Sequence, residues 1–362
     1  MADKKNIILF CEYWGNGGIE KIISYINHNI DKSKYNPQII TTIKNTQIYS
    51  DEVKCISKYK IRNPIYRFIK TIFNIKKVTK GADIVHFNVH SSIGLFYAYL
   101  LRKSNAKIIV HAHNSNFDNN IIKIKTLISI IVKKLFCKDK FTYIACSKNA
   151  AEFCFDKKMN YTIIENEIDC NGFLYDENKR ILARKKYNIN LNDIVIGNIG
   201  RFQKQKNHKF LIEIYDEFLK LVPNSKLVLI GFGREGKKIQ KQIKEKNISK
   251  QIMIIKSCVN IDEMYQMFDF YVVPSKYEGY GITIYEALTS SLNCFVSDNV
   301  ALNFEKDDNL IPISLNDSPR NWAEKIKSYI GYTREKRKCN LKNSYINKIE
   351  KIYIDWGIHE KY

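Results

Sequence analysis

None of the nine cysteines stands in a C-x-x-C pair, and none has the spacing of a metal-ligand set. A disulfide framework and a structural zinc site are both set aside. The expectation is a reduced, cytosolic chain without a secretory leader. Long apolar runs are also missing. The most apolar segment, Ile121–Phe136, is broken by Lys123, Lys125, Lys133 and Lys134. Its longest uncharged run, Thr126–Val132, has seven residues, against about 20 for a membrane-spanning helix. There is no Walker A loop, no complete G-x-G-x-x-G and no G-x-S-x-G elbow, which argues against P-loop and serine-hydrolase chemistry. No solenoid-type repeat or low-complexity linker is present.

Acidic residues are scarce relative to basic ones, 37 against 59, for a formal charge of +22. The imbalance is concentrated in Lys54–Lys80, where Lys54, Lys58, Lys60, Arg62, Arg67, Lys70, Lys76, Lys77 and Lys80 meet no acid. Tyr59, Tyr66, Phe68 and Phe73 are interleaved with them. Such a segment suits anionic lipid headgroups; the plainer alternative is a solvated helix face. Nucleic acid ranks last, because no helix-turn-helix, zinc-finger or RNA-recognition signature accompanies the charge.

What is present is an α/β rhythm. With 362 residues and 45% hydrophobic content, the chain can bury two cores. Short β-branched runs at Asn6–Cys11, Pro37–Thr42, Asp83–Phe87, Lys107–His111, Thr142–Cys146 and Tyr161–Ile164 predict strands. Gly15–Gly18 predicts a turn, and Ile19–Asn29 a helix with Ile22, Ile23 and Ile26 inward. A second cycle follows at Asp193–Asn198, Lys226–Ile230, Ile252–Ile255, Phe270–Val273 and Cys294–Ser297, with an amphipathic helix over Lys209–Val222. The pattern predicts two α/β domains of parallel strands covered by helices. The boundaries drawn are 1–172 and 173–334, with 335–362 packing back on the first domain. Thr333–Tyr362 reads as helix, with Ile346, Ile349, Ile352 and Tyr353 as its apolar stripe.

Ligands in open α/β sheets bind beyond the carboxyl ends of the strands, and the polar motifs all follow predicted strands. Glu278 and Glu286 flank Gly279-Tyr280-Gly281. One carboxylate is expected just before a helix N-terminus and the other two turns inside it. A helix start favours anions and carboxylates suit sugar hydroxyls, so the stretch fits a nucleotide-sugar. Arg201, directly after Gly200, and Lys206 lie in one loop and could share a diphosphate. Gly15-Asn-Gly-Gly-Ile-Glu20 permits close backbone approach to a phosphate, although many strand–helix turns carry glycine for steric reasons alone. His111 and His113 alternate along one strand and point the same way; His113 begins the polar run His113-Asn114-Ser115.

Together these residues resemble the retaining glycosyltransferases of family four, most of all bacterial capsule and exopolysaccharide transferases. The matching motifs are Gly17-Gly-Ile-Glu20, His113, Gly200-Arg201 with Lys206, and Glu278…Glu286-Ala287. The resemblance implies a GT-B fold, two Rossmann-like domains facing a central cleft. It implies that Glu286 holds the ribose hydroxyls and that Glu278, with the Gly279–Gly281 backbone including Tyr280, contacts the donor sugar. Arg201 and Lys206 would bind the diphosphate, Gly17 and Gly18 would approach it, and His113 would lie near the anomeric carbon. Ser257 and Cys258, within Lys256–Val259, fall where such enzymes hold the base.

The implied catalytic set is His113, Arg201, Lys206 and Glu278, with no metal and no cofactor beyond the nucleotide-sugar substrate. No Asp-x-Asp is positioned as a metal site. The implied reaction moves a hexosyl unit, from a UDP-sugar in preference to a GDP-sugar, to a polyprenyl-linked glycan at the inner membrane face. The competing readings are a nucleotide-sugar epimerase of the same fold and a basic membrane- or nucleic-acid-binding protein with a vestigial site. Two positions depart from the family pattern. Asn207 follows Lys206 where glycine is usual, and Glu165-Asn-Glu167-Ile-Asp169 replaces Pro-Asn-Gly-Ile-Asp at the domain junction. Glu167 thereby removes a position that would accept positive φ easily.

Overall fold

The computed structural model describes residues 3–15, 17–44, 52–57, 63–115, 122–136, 141–167, 169–256, 260–301, 307–337 and 344–355. The chain forms two compact units, 1–168 with 342–362, and 169–341.

The first unit runs β1 (Lys5–Trp14), α1 (Gly18–Asn29), β2 (Tyr35–Lys44), β3 (Val53–Cys55), α2 (Pro64–Val78), β4 (Ile84–Val89), α3 (Leu95–Leu100), β5 (Lys107–Ala112), α4 (Ile122–Phe136), β6 (Thr142–Ala145), α5 (Lys148–Cys154) and β7 (Thr162–Ile163). Its strands pair in parallel in the order β3-β2-β1-β4-β5-β6-β7. The central strands are buried along their length and mostly apolar, with His86 and Asn88 of β4 and His111 of β5 as polar exceptions. α1 buries Ile19, Ile22, Ile23 and Ile26. α2 starts on Pro64, with Asn63 accepting the Ile65 N–H at 2.9 Å, a standard N-terminal combination.

The second unit runs α6 (Glu177–Lys186), β8 (Ile194–Ile199), α7 (His208–Leu221), β9 (Ser225–Ile230), α8 (Gly236–Glu245), β10 (Ile252–Ile255), α9 (Ile261–Met267), β11 (Phe270–Val273), α10 (Ile282–Thr289), β12 (Asn293–Ser297), α11 (Asp298–Ala301), β13 (Leu310–Ile313) and α12 (Pro319–Lys327). The parallel order is β10-β9-β8-β11-β12-β13. Strand order reverses between β1 and β4 in one sheet and between β8 and β11 in the other. Both points open a crevice at the strand carboxyl ends.

The C-terminal segment differs from its sequence expectation. Among its described residues only Ser344–Ile354 is helical (α13), burying Tyr345, Ile346, Ile349 and Tyr353 on the first unit. Residues 333–337 are not helical and stay with the second unit. Arg334 donates to the carbonyls of Tyr265, Gln266, Phe268 and Ser290 and stacks over Tyr175 at 4.0 Å. Arg337 forms a bidentate pair with Asp307, at 2.6 and 2.8 Å. These bonds hold the strap off a helical path and set the return near residue 341 rather than 335. The first crossing lies at 168/169 rather than 172/173.

Both family departures have physical accounts. Asn207 takes φ 54°, ψ 40°, the left-handed region that asparagine tolerates better than other non-glycine residues. Glu167 is not among the positive-φ residues. Its carboxylate accepts the Tyr345 N–H at 2.9 Å, so it satisfies a donor in the first turn of α13 where an anion is favoured.

Candidate functional site

In the second unit the loops after β8 and β11 meet at the reversal of strand order. β8 leads into Gly200-Arg201 and the short turn Lys204–Lys206; β11 leads into Pro274–Gly281. The Lys276 N–H donates to the Gln205 carbonyl at 2.8 Å, and Gln205 Nε2 donates to the Tyr277 carbonyl at 2.9 Å. Lys206 Nζ reaches Glu278 Oε1 at 2.7 Å, and Gln205 Nε2 lies 3.4 Å from Glu278 Oε2. The Lys206 and Glu278 side chains are only 15% and 7% exposed, so the ion pair is less screened than a surface pair. Arg201 is exposed and has no side-chain partner among the described residues.

Gly281, at φ +81°, caps α10, a conformation in which most side chains are strained. Glu286 is the fifth residue of α10, just over one turn inside rather than the two turns expected, because the helix begins only at Ile282. Its carboxylate is 1% exposed and accepts from the Tyr265 hydroxyl at 2.6 Å. Burial, and then the Glu286 charge, push the Tyr265 phenol well up, so it stays a donor. The pair fixes one carboxylate oxygen in direction. His208, beside Lys206, is a core residue. Its ring packs edge-on to Phe202 at 4.7 Å, and burial lowers it to about 3.

In the first unit, the Glu20 carboxylate is buried and accepts the Gly15 N–H at 2.8 Å. A Cβ at Gly17 would lie 2.5 Å from Glu20 Oε2. A side chain at 17 would therefore have to displace the Glu20 carboxylate. Gly18 opens α1.

At the ends of β4 and β5, His113 Nε2 lies 2.9 Å from Asn88 Oδ1, and its ring sits 3.9 Å from that of His111. Asn88 Nδ2 faces the Phe10 and His86 carbonyls at 3.4 Å, which turns Oδ1 toward the histidine. His113 therefore carries its proton on Nε2 and keeps Nδ1 as an acceptor. Deeper in, His86 bridges Tyr353 of α13, at 2.8 Å, and His111, at 3.2 Å. Burial lowers His86 to about 3. Burial first, and then neighbouring histidines, hold His111 and His113 well below the usual range.

These three bases are neutral when folded and protonate near pH 6.5 when unfolded. Their stabilisation is full above about pH 6.5 and falls as pH drops toward the folded values, with a limiting slope of ~4 kcal/mol per pH unit. The second unit has one such histidine, His208. Between about pH 6.5 and 5, hydrogen exchange corrected for intrinsic rate should show β4–β5 losing protection faster than β8–β9. Equal loss in both units would contradict the assignment.

Residues 179–336 match the family described as glycosyl transferases group 1. The putative glycosyltransferase EpsF of Bacillus subtilis is 24% identical over 354 residues, covering 93% of this chain and 90% of that protein. An Escherichia coli UDP-Gal:alpha-D-GlcNAc-diphosphoundecaprenol alpha-1,3-galactosyltransferase is 25% identical, covering 81% of each. The second unit thus carries the match to the group 1 glycosyl transferases, and the chain along most of its length is similar to proteins named as glycosyltransferases.

The fold agrees. Anabaena HepE in complex with UDP and glucose superposes with TM-score 0.74 at 14% identity, covering 90% of this chain and 89% of HepE. WaaG, a glycosyltransferase involved in lipopolysaccharide biosynthesis, gives 0.73 at 12%, covering 89% and 90%. The family match spans Arg201, Lys206, Glu278, the Gly279–Gly281 turn and Glu286 of this chain. Ser257 and Cys258 lie outside the described residues. Three residues of these clusters escaped the sequence reading: Gln205, Tyr265 and Asn88. Each acts through a partner 21 to 73 positions away, so no local spacing marks it.

Proposed function

We propose that this chain moves a hexosyl unit from a nucleotide-sugar, UDP-linked in preference to GDP-linked, to a polyprenyl-linked glycan. The reaction belongs to capsular or exopolysaccharide assembly at the inner face of the plasma membrane. The observation that carries the donor assignment is the Lys206–Glu278 ion pair at the β8/β11 reversal. It sets a cation and a carboxylate side by side in one crevice, with the exposed Arg201 guanidinium on the same loop. In this reading Arg201 and Lys206 meet the diphosphate, Glu278 and the 279–281 backbone meet the sugar, and Glu286 takes the ribose hydroxyls. The UDP complexes of HepE and the diphosphoundecaprenol acceptor in the name of the E. coli relative support the donor and acceptor classes.

As the glycosidic bond breaks, negative charge gathers on the departing diphosphate. The two side-chain cations stabilise it, Lys206 held in place by Glu278 and Arg201 ordering on the diphosphate as it binds. The acceptor hydroxyl attacks from the same face, a phosphate oxygen takes its proton, and configuration is retained. No protein base and no metal enters this scheme. The acceptor is assigned to the first unit, with His113 Nδ1 available to a substrate hydroxyl.

Thermal unfolding with UDP and with GDP tests the donor half. UDP at about 100 times its Kd should stabilise the chain by ~2.7 kcal/mol, and GDP by less. Arg201→Ala should lose most of the UDP shift and lower turnover by about 10²-fold. Absence of a shift with either nucleotide would remove the donor assignment.

A further inference from the structure

Two helices of the first unit turn several large apolar residues outward. On α2, Ile65, Tyr66, Ile69 and Phe73 are exposed, Phe73 to 81%. On α4, Leu127, Ile128, Ile130, Ile131 and Leu135 are exposed, Leu127 to 60%. These nine make up most of the large exposed hydrophobic side chains among the described residues. Residues 65, 69 and 73 repeat every four positions, as do 127, 131 and 135, so each set lies along one face of its helix.

The buried side of α4 has the opposite character. Among the α4 side chains described, those of residues 126–136, Ser129 is the buried one, bonded to Ser92 at 2.6 Å. A helix of a water-soluble domain points its leucines and isoleucines inward and its serines outward; α4 does the reverse. The two helices flank α3. Phe96 of α3 packs against Phe68 of α2 at 5.6 Å and against Phe136 of α4 at 5.0 Å, so the exposed stripes belong to one packed helical layer.

Charge decides what covers this layer. α2 and α4 contain no aspartate or glutamate. Lys76, Lys77 and Lys134 are exposed and Lys70 is half-buried. Apolar side chains rimmed by lysines match a bilayer with anionic headgroups, where the side chains enter the acyl boundary and the cations stay at headgroup depth. A protein partner of ordinary composition would not require the complete exclusion of acid.

Arg67 does not take part as the sequence suggested. It bonds Glu12 at 3.3 Å and lies over the Tyr13 ring at 5.8 Å. Lys54 donates to Gln38 at 3.0 Å. Lys58, Lys60 and Arg62 lie outside the described residues. The chain has no helix long and apolar enough to cross a membrane among its described residues, so the contact is interfacial.

We propose that α2 and α4 together form an insertion surface for anionic lipid bilayers, with apolar contact rather than charge as its main attachment. The inference rests on the lipid-linked acceptor reading for its purpose, since it would hold the first unit against the membrane that carries the acceptor. The test is flotation of the full-length chain with phosphatidylglycerol–phosphatidylcholine vesicles at low salt and at about 1 M salt, where the screening length is ~3 Å. Wild type should stay bound at high salt. The triple variant Phe73→Ser, Leu127→Gln, Ile131→Gln should lose high-salt binding by about ten-fold or more. It should keep part of the low-salt binding through its lysines, and keep the wild-type unfolding midpoint because all three side chains face outward.

Failure of wild type to float, or high-salt binding by the triple variant equal to wild type, would overturn the proposal. So would sedimentation showing that wild type self-associates through this face while the triple variant is monomeric. UDP binding is read separately by thermal shift. Loss of the donor assignment would leave the flotation result standing, and the reverse also holds.

Discussion

Glu286→Gln should lower turnover with a nucleotide-sugar donor by about 10²- to 10³-fold while leaving the unfolding midpoint nearly unchanged. The size follows from the bonds the carboxylate would make. Two charge-assisted hydrogen bonds to ribose hydroxyls are worth about 1.5–3 kcal/mol each, and each 1.4 kcal/mol is ten-fold. Glutamine keeps the shape and can still accept from the Tyr265 hydroxyl, now 2.6 Å from Oε2. Alanine would leave that buried hydroxyl only the Thr283 carbonyl, at 3.1 Å, and would open a cavity beside it, mixing a stability loss into the result. Tyr265→Phe gives the graded companion. It removes one orienting bond and leaves the carboxylate in place, so a drop of about ten-fold is expected. Steady-state kinetics with circular dichroism as the fold control separates the cases. Wild-type turnover in Glu286→Gln would remove Glu286 from the donor site.

Asp269→Ala should destabilise the second unit by about 3–5 kcal/mol, lowering its unfolding midpoint by roughly 10 °C for a unit of this size. Asp269 joins two guanidiniums, Arg180 at 2.6 Å and Arg184 at 2.7 Å, and accepts the Val195 N–H at 2.7 Å. Arg184 is fully buried, and its remaining donors reach the carbonyls of Met267, Asn190, Leu191 and Asp193. Removing the carboxylate leaves two cations facing each other with no anion between them. Arg180 and Arg334 both donate to the Gln266 and Phe268 carbonyls. The cleft between Tyr175, Arg180, Asp269 and Arg334 is therefore a structural staple, not a ligand site. Calorimetry should show the loss, and a change under about 1 kcal/mol would contradict the staple.

The strands were legible because parallel sheets covered on both faces demand continuous apolar runs, and Phe270–Val273 and Ile252–Ile255 are such runs. α7 was legible from the spacing of Phe210, Leu211, Ile214 and Phe218. The C-terminal helix was over-extended. Its apolar stripe begins only near Tyr345, and Arg334 and Arg337 are drawn to backbone carbonyls and to Asp307, partners that spacing does not reveal. Within the site, residue type and turn chemistry marked Arg201, Lys206, Glu278 and Glu286. The pairing of Lys206 with Glu278 was not visible, because it depends on β8 and β11 being neighbours across 72 residues of sequence. For Gly17 the sequence offers phosphate approach and a steric role side by side; only packing reveals the Glu20 carboxylate beside it.

The outward apolar residues of α2 and α4 show the same division. The basic run of α2 stood out in the sequence, and Ile121–Phe136 stood out as the most apolar segment, but only burial placed Ser129 inside and Leu127 outside. Amphipathic spacing identifies a face without saying which medium it meets.

The central claim is that the β8/β11 crevice binds a nucleotide-sugar and that the chain transfers its sugar with retention. The most direct measurement is a transfer assay with a panel of UDP- and GDP-sugars on polyprenyl-diphosphate-linked acceptors, with the anomeric configuration of the product read by NMR. The account predicts a new glycoside from a UDP-sugar, formed with the donor's anomeric configuration and lost in Glu286→Gln. An inverted product, or an epimerised sugar nucleotide without any glycoside, would contradict it.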